Sequence, residues 1–96
     1  MYLNIYKIEE DIVIAVCDKD IIGKKFREGE LVLKIEESFY KGYEATKDEV
    51  IEALSYATIA NISGEKAIAC ALECGCIDKE NIIFIDGIPH AQMIRL

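Results

Sequence analysis

The 96-residue sequence contains no long hydrophobic run. A membrane-spanning helix needs roughly 18 or more consecutive apolar residues, and no stretch of the chain approaches that length. The N-terminal segment Met1–Lys7 also lacks the basic region and the apolar run of a signal peptide. We therefore expect a cytoplasmic protein that does not enter a membrane.

Positive charge is also scarce, since 11 basic residues face 18 acidic ones and the formal net charge is −7. The electrostatic field of a protein with this charge repels phosphate backbones and anionic membrane surfaces, which disfavours non-specific nucleic-acid binding. One short stretch is an exception, because its basic residues outnumber Asp18 and Asp20. Its members are Lys19, Lys24, Lys25 and Arg27.

The sequence lacks the usual motifs of metal sites and of nucleophilic catalysis. Its four cysteines include no C-x-x-C pair of the kind that zinc sites use, although Cys70 and Cys74 would share one face of a helix. Free cysteine is among the most buried residue types, so we interpret Cys17, Cys70, Cys74 and Cys76 as packing residues. No serine or cysteine lies in a recognisable nucleophile motif. We predict neither a metal nor a cofactor.

The composition is that of a folded domain. With 52% hydrophobic and 30% charged residues, the chain has enough apolar surface to offset its conformational entropy. Its length suits one core but not two. We therefore predict one domain that spans residues 1–96.

The hydrophobic pattern predicts an α/β (α+β) fold in the order β-β-β-α-α-β-β, with two helices packed on a mixed or antiparallel sheet. A helical turn that ends near Gly23 and an aromatic loop over residues 36–44 complete the pattern. Asp86-Gly87 is a strong hairpin signal between the last two strands. The predicted strands cover residues 2–8, 12–17, 31–35, 82–85 and 90–96.

Two helices are predicted to meet at the segment 60–65. Thr46 and Glu49 have the spacing of a capping box, and apolar residues at helical spacing extend this first helix from Val50 to Ala60. Ser63 is the predicted N-cap of the second helix, which ends at Gly75.

The corner between these helices combines polar groups that suit either capping or ligand binding. Asn61 could bond a ligand, and the amides after Gly64 could bind an anion. Glu65, however, already complements the helix dipole and would repel a phosphate. Plain helix capping is therefore the favoured interpretation. If a ligand binds there, we expect a hydroxyl, amide or cationic group, or contact with the ring of His90, rather than a bare phosphate.

His90 is the only histidine and lies in Pro89-His90-Ala91-Gln92. Imidazole titrates near neutral pH, so it can act as an acid, a base or a hydrogen-bond donor. A purely structural role in a strand is the alternative.

Several short segments resemble a family of short archaeal proteins, the domain of unknown function 424. They are Cys17-Asp18, Ile22-Gly23-Lys24, Phe39-Tyr40 with Gly42, Ala60-Asn61-Ile62-Ser63-Gly64-Glu65 and Pro89-His90-Ala91-Gln92. The resemblance runs from about Ile5 to Leu96 and implies a cytoplasmic archaeal protein with a small α/β fold. It does not by itself imply an activity, and it favours an RNA-binding or translation-related role. The family more often has Val where Ser63 stands, which leaves Asn61 as an alternative cap.

The preferred hypothesis is a non-enzymatic binding module for RNA or a translation component. Lys24, Lys25 and Arg27 would contact phosphate, while Tyr40 or Tyr43 would stack on a base. The predicted ligand-binding residues are Lys24, Tyr40, Asn61, Gly64, Glu65, His90 and Gln92.

Two other hypotheses remain open. One is a small enzyme in which His90 is the acid or base, Asp18 or Glu65 orients it, and Asn61 stabilises developing charge. The other is a scaffold whose acidic surface binds a protein partner.

Overall fold

The computed structural model describes all 96 residues, from Met1 to Leu96, as eight strands and three helices. The strands are β1 (Tyr2–Ile8), β2 (Asp11–Cys17), β3 (Lys25–Glu28), β4 (Leu31–Lys34), β5 (Tyr43–Glu44), β6 (Ile59–Ser63), β7 (Ile83–Ile85) and β8 (Ile88–Ile94). The helices are α1 (Glu37–Tyr40), α2 (Lys47–Tyr56) and α3 (Glu65–Glu73). Single 3₁₀ turns cover Lys19–Ile21 and Lys79–Asn81.

Six strands form one sheet in the order β5-β1-β2-β6-β8-β7, and β3 pairs with β4 in a separate hairpin. Only β2 and β6 run parallel; every other pair is antiparallel. A parallel pair requires a long crossover, and the segment that contains α2 provides it. The predicted fold class is confirmed: a small mixed α/β domain has a mostly antiparallel sheet with helices packed on it.

Helix α2 begins where the local sequence predicts. The Thr46 hydroxyl accepts a hydrogen bond from the Glu49 amide at 3.2 Å, and the Glu49 carboxylate accepts one from the Thr46 amide at 2.9 Å. This reciprocal pair satisfies two backbone donors that a helix start leaves free. The predicted capping box is confirmed.

The predicted end of this helix was wrong. Helix α2 stops at Tyr56, and the next residues form β6 in the middle of the sheet. Ala60 fits helical spacing, but Ala60 and Ile62 also fit the two-residue period of a strand. Pairing with β2 on one side and β8 on the other decides between the two periods.

The sheet is covered on both faces. On one face Leu3, Ile14 and Ile62 pack with α2 and α3 in the larger core. On the opposite face Ala15 and Cys17 pack under the β3–β4 hairpin and α1. Four consecutive residues of β2, Ile14 to Cys17, are therefore buried, as expected for a central strand.

Other predicted boundaries need smaller corrections. The predicted strand 31–35 corresponds to β4, but its partner β3 was missed because Lys25, Arg27 and Glu28 obscure the alternation. The predicted loop 36–44 contains α1 and the two-residue strand β5. The last strand starts at Ile88 rather than His90. Gly75, with φ +77°, follows the end of α3 as predicted.

The predicted Asp86-Gly87 hairpin is confirmed. Asp86 and Gly87 have φ values of +52° and +78° and connect the pair Ile85 and Ile88, which suits a type I′ turn. The Asp86 amide also donates to the Glu28 carboxylate at 2.8 Å. This bond holds the β3–β4 hairpin over the β7–β8 edge of the sheet.

None of the helices is long and apolar enough to cross a membrane.

Candidate functional site

Four polar side chains lie side by side on β6 and β8, on the face under the hairpin. In the strand register Asn61 is opposite Gln92, and Ser63 is opposite His90. The Gln92 amide nitrogen donates to the Asn61 side-chain oxygen at 3.0 Å, and Ser63 Oγ lies 2.7 Å from His90 Nδ1. Because alternate residues of a strand share a face, both pairs point to the same side.

Tyr40 of α1 extends this polar row into the core. Its hydroxyl lies 3.2 Å from Ser63 Oγ. Tyr40 is only 4% exposed and Ser63 is fully buried. Burial raises the pKa of the Tyr40 phenol, although its hydrogen bond with Ser63 opposes that change. Burial also lowers the pKa of the His90 imidazole, so the neutral form of each side chain is favoured.

A groove beside β4 gives access to the outer part of this row. We call it the amide groove; its volume is about 360 Å³. Its walls come from β4, α1, β6 and β8, so they join the hairpin to the centre of the sheet. The lining residues are Val32, Leu33, Lys34, Glu36, Phe39, Tyr40, Asn61, His90 and Gln92.

The start of α3 forms a separate polar cluster on the opposite face of the sheet. The Asp18 carboxylate accepts hydrogen bonds from the Lys66 amide at 3.0 Å and the Ala67 amide at 2.9 Å. Asp18, not Ser63 or Asn61, therefore caps this helix, and both cap predictions were wrong. The sequence near the start of α3 does not reveal this cap, because Asp18 lies 48 positions before Lys66.

Gly64 permits this arrangement. Its φ is +105°, and a Cβ built there would lie 2.4 Å from Asp18 Cγ. Its amide donates to the Pro89 carbonyl at 2.9 Å. The first amides of α3 are thus occupied by Asp18, and Glu65 is exposed beside them. The corner is thus the start of α3, which Asp18 caps.

The predicted site residues therefore fall into three groups. Tyr40, Asn61, His90 and Gln92 meet at the amide groove. Asp18, Gly64 and Glu65 lie together at the start of α3, and Lys24 is exposed at the beginning of the hairpin. The only side-chain hydrogen bond of His90 is with Ser63, so neither Asp18 nor Glu65 orients it.

The outward face of the hairpin is basic. Lys25 is directly opposite Lys34, and Arg27 is opposite Val32. All four are exposed, whereas Leu33 of the other face is buried. We call Lys25, Arg27 and Lys34 the basic face. Its cations take part in neither of the two ion pairs of the protein, Lys19–Glu44 and Lys47–Glu73.

Lys34 connects the basic face with the amide groove, because it belongs to both. Lys34 was not among the predicted site residues. It could have been identified by its alternation with Leu33, because this alternation places Lys34 on the outer side of a strand next to a basic stretch.

The aromatic residues proposed for base stacking are placed differently. The Tyr40 ring is buried and so is not free to stack on a base. Tyr43 lies on β5, at the sheet edge opposite β7, whereas the hairpin contacts β7. Phe39, which lines the groove, stacks on Tyr6 at a centroid distance of 5.4 Å.

The cysteines lie within or beside the cores. Burial raises the pKa of the Cys17 thiol to about 12, with a further contribution from Asp18. Burial likewise raises the pKa of Cys76 to about 12. These thiols are therefore protonated near neutral pH, which makes them poor nucleophiles. The structure contains no group of three or more His, Cys, Asp or Glu side chains that could hold a metal ion.

Comparison with known proteins identifies the family. The model of the family described as "Protein of unknown function (DUF424)" matches residues 6–96. The chain belongs to this family. The structure of this DUF424 protein is similar to the "Crystal structure of an uncharacterized conserved protein from Methanopyrus kandleri", with a TM-score of 0.78 and 27% sequence identity. That match covers 99% of this chain and 93% of the other. No curated protein matches the chain.

Proposed function

We propose that this DUF424 protein is a non-enzymatic, cytoplasmic module that binds single-stranded RNA with the β3–β4 hairpin and the amide groove. The observation that carries the proposal is the position of Lys34, which belongs both to the basic face and to the groove wall. A phosphate bound at the hairpin would leave its nucleoside next to the groove. Backbone and base contacts could thus be made by one continuous surface.

The charge distribution supports phosphate binding at this hairpin. Like charges directly opposite each other on paired strands are destabilising, and Lys25 and Lys34 are such a pair. A bound phosphate would offset their repulsion. The protein as a whole carries a net charge of −7, so the rest of its surface repels RNA and favours approach through the basic face.

The polar groups of the groove support contact with the nucleoside. Asn61, His90 and Gln92 offer hydrogen-bonding groups without a formal charge when His90 is neutral. The carboxylate of Glu36 disfavours a phosphate inside the groove itself. We therefore assign the phosphate to the hairpin, outside the groove, and the nucleoside to the groove itself.

The proposal is tested by the affinity for a short, labelled single-stranded RNA, measured by fluorescence anisotropy at low salt. The variant Lys25→Gln/Arg27→Gln/Lys34→Gln is expected to bind at least about tenfold more weakly than the wild type. The matched control is Lys7→Gln/Lys66→Gln/Lys79→Gln, which removes the same charge from exposed positions elsewhere. It should bind within about threefold of the wild type. Equal losses in both variants, or no binding by the wild type, would refute the proposal.

A further inference from the structure

We propose that the amide groove binds one nucleobase of the RNA by its polar edge, with the amino-bearing bases adenine and cytosine preferred over uracil, and that Tyr40 and Ser63 hold His90 as a neutral Nε2–H donor to that base. The inference rests on the proposed function, since RNA held by the basic face supplies the base. In this arrangement Tyr40 and Ser63 are positioning residues, which act on the base through His90.

The position of the His90 proton follows from the buried hydroxyls. The Tyr40 phenol has one proton and one hydrogen-bond partner, Ser63 Oγ at 3.2 Å. Because a buried O–H group donates a hydrogen bond, this proton points to Ser63. The proton of Ser63 is then directed to His90 Nδ1, 2.7 Å away. Nδ1 accepts, so the single proton of the neutral ring is on Nε2.

The opposite arrangement would leave a buried donor without an acceptor. If Nδ1–H donated to Ser63, the Ser63 proton would point to Tyr40, and the phenolic proton would have no partner. Protonation of both ring nitrogens has the same consequence. Burial lowers the pKa of His90, which also favours the neutral ring. Two hydroxyls thus fix both the charge and the tautomer of one imidazole.

The neighbouring amides complete a pattern of donors and acceptors. Because Gln92 Nε2 donates to Asn61 Oδ1, the Gln92 carbonyl remains an available acceptor and the Asn61 NH₂ group an available donor. Both side chains and His90 line the groove.

Adenine and cytosine suit this pattern because each presents an amino N–H donor next to a ring-nitrogen acceptor, whereas uracil presents carbonyl acceptors beside a ring N–H donor. A side-chain amide of Asn or Gln matches these two groups with its C=O and N–H. The groove volume of about 360 Å³ is near the lower end of the range for small-molecule sites, which suits one base.

The tautomer is tested first, by ¹⁵N nuclear magnetic resonance of the free protein. His90 is the only histidine, so its ring signals are identified without assignment. The wild type is expected to show a protonated Nε2 and an unprotonated Nδ1 at neutral pH. Tyr40→Phe removes the phenolic proton, so the Nδ1–H tautomer should appear beside the other. A wild-type ring protonated at Nδ1, or an unchanged tautomer ratio in Tyr40→Phe, would overturn the assignment.

Base preference is tested with adenine, uracil and cytosine homo-oligonucleotides of equal length at one salt concentration. The wild type should bind the adenine and cytosine oligomers about tenfold more tightly than the uracil oligomer. Asn61→Ala/Gln92→Ala should abolish this preference. The hairpin variant Lys25→Gln/Arg27→Gln/Lys34→Gln should weaken binding to all three oligomers equally.

The two proposals fail in different ways. RNA binding that depends on the basic face but shows no preference for adenine and cytosine over uracil would refute base recognition and leave the proposed function standing. If no oligonucleotide binds, the proposed function fails. In that case a shift of the His90 ring signals on addition of adenosine would still support a base site.

Discussion

Gly64 is the residue on which the junction between the sheet and α3 depends. Its φ of +105° is a backbone conformation that side chains with a Cβ rarely adopt. The neighbouring Asp18 carboxylate fills the space that a Cβ would need. One glycine therefore allows the end of β2 to contact the start of α3.

Gly64→Ala should destabilise the protein by more than about 3 kcal/mol, because backbone strain and a steric clash both contribute. Gly75→Ala is the matched control: its φ is +77°, but no atom lies within 4 Å of the added Cβ. We expect that control to cost about 1 to 2 kcal/mol, from strain alone. Urea denaturation measures both. Similar costs at the two positions would contradict the described contact with Asp18.

His90 should make stability depend on pH below its ordinary pKa of 6.5. Burial lowers its pKa in the folded state, so the unfolded chain binds the proton more readily. The free energy of unfolding should therefore decrease as pH falls from about 6.5 toward the lowered pKa of the folded protein.

His90→Gln should reduce this dependence while the contribution of the carboxylates remains. The test is urea denaturation of both proteins between neutral pH and the onset of carboxylate titration. Parallel curves for the wild type and His90→Gln over this range would contradict the buried neutral imidazole.

At the scale of elements, α3 depends on a cap from another part of the chain. The Asp18 carboxylate satisfies two of its first amides and lies at the positive end of the helix dipole. Asp18→Ala should cost about 2 kcal/mol of stability. Asp18→Asn should cost less, since it keeps one acceptor. Asp20→Ala, at an exposed position of the same turn, should change stability by less than about 0.5 kcal/mol.

Thermal or urea denaturation of Asp18→Ala and Asp20→Ala measures the stability lost in each variant. Their difference separates the effect of the lost cap from that of a lost negative charge. Equal destabilisation by the two substitutions would show that charge, and not capping, is responsible.

Elements with local signals could be predicted from the sequence, and those that depend on distant partners could not. The capping box of α2 and the Asp86-Gly87 turn each lie within a few residues, and both are confirmed. By contrast, β6 was assigned to a helix because Ala60 fits both periods. Its pairing with β2 and β8, which are distant in sequence, determined the outcome.

Dependence on partners that are distant in sequence also limits how much of the site could be predicted. Asn61, His90 and Gln92 could be identified as polar residues among apolar ones, and the strand register brings them together. Ser63 was assigned to the wrong role because its partners, Tyr40 and His90, come from two other elements. Lys34 joins the site only because the hairpin folds over the sheet.

At the scale of the whole molecule, a basic hairpin face lies on an acidic protein. Ions condensed on single-stranded RNA are released when cations of a protein replace them, so affinity falls with salt. Each phosphate contact contributes about −0.7 to the slope of log K against log salt concentration for a single strand. The three cations of the basic face therefore predict a slope of about −2.

The salt dependence of RNA affinity is the most direct test of RNA binding through the basic face, since its slope counts the phosphate contacts. We predict a slope of about −2 for the wild type and for Lys7→Gln/Lys66→Gln/Lys79→Gln, and a slope near zero for Lys25→Gln/Arg27→Gln/Lys34→Gln. A wild-type slope near zero, or the same slope in the hairpin variant and the control variant, would contradict RNA binding through the basic face.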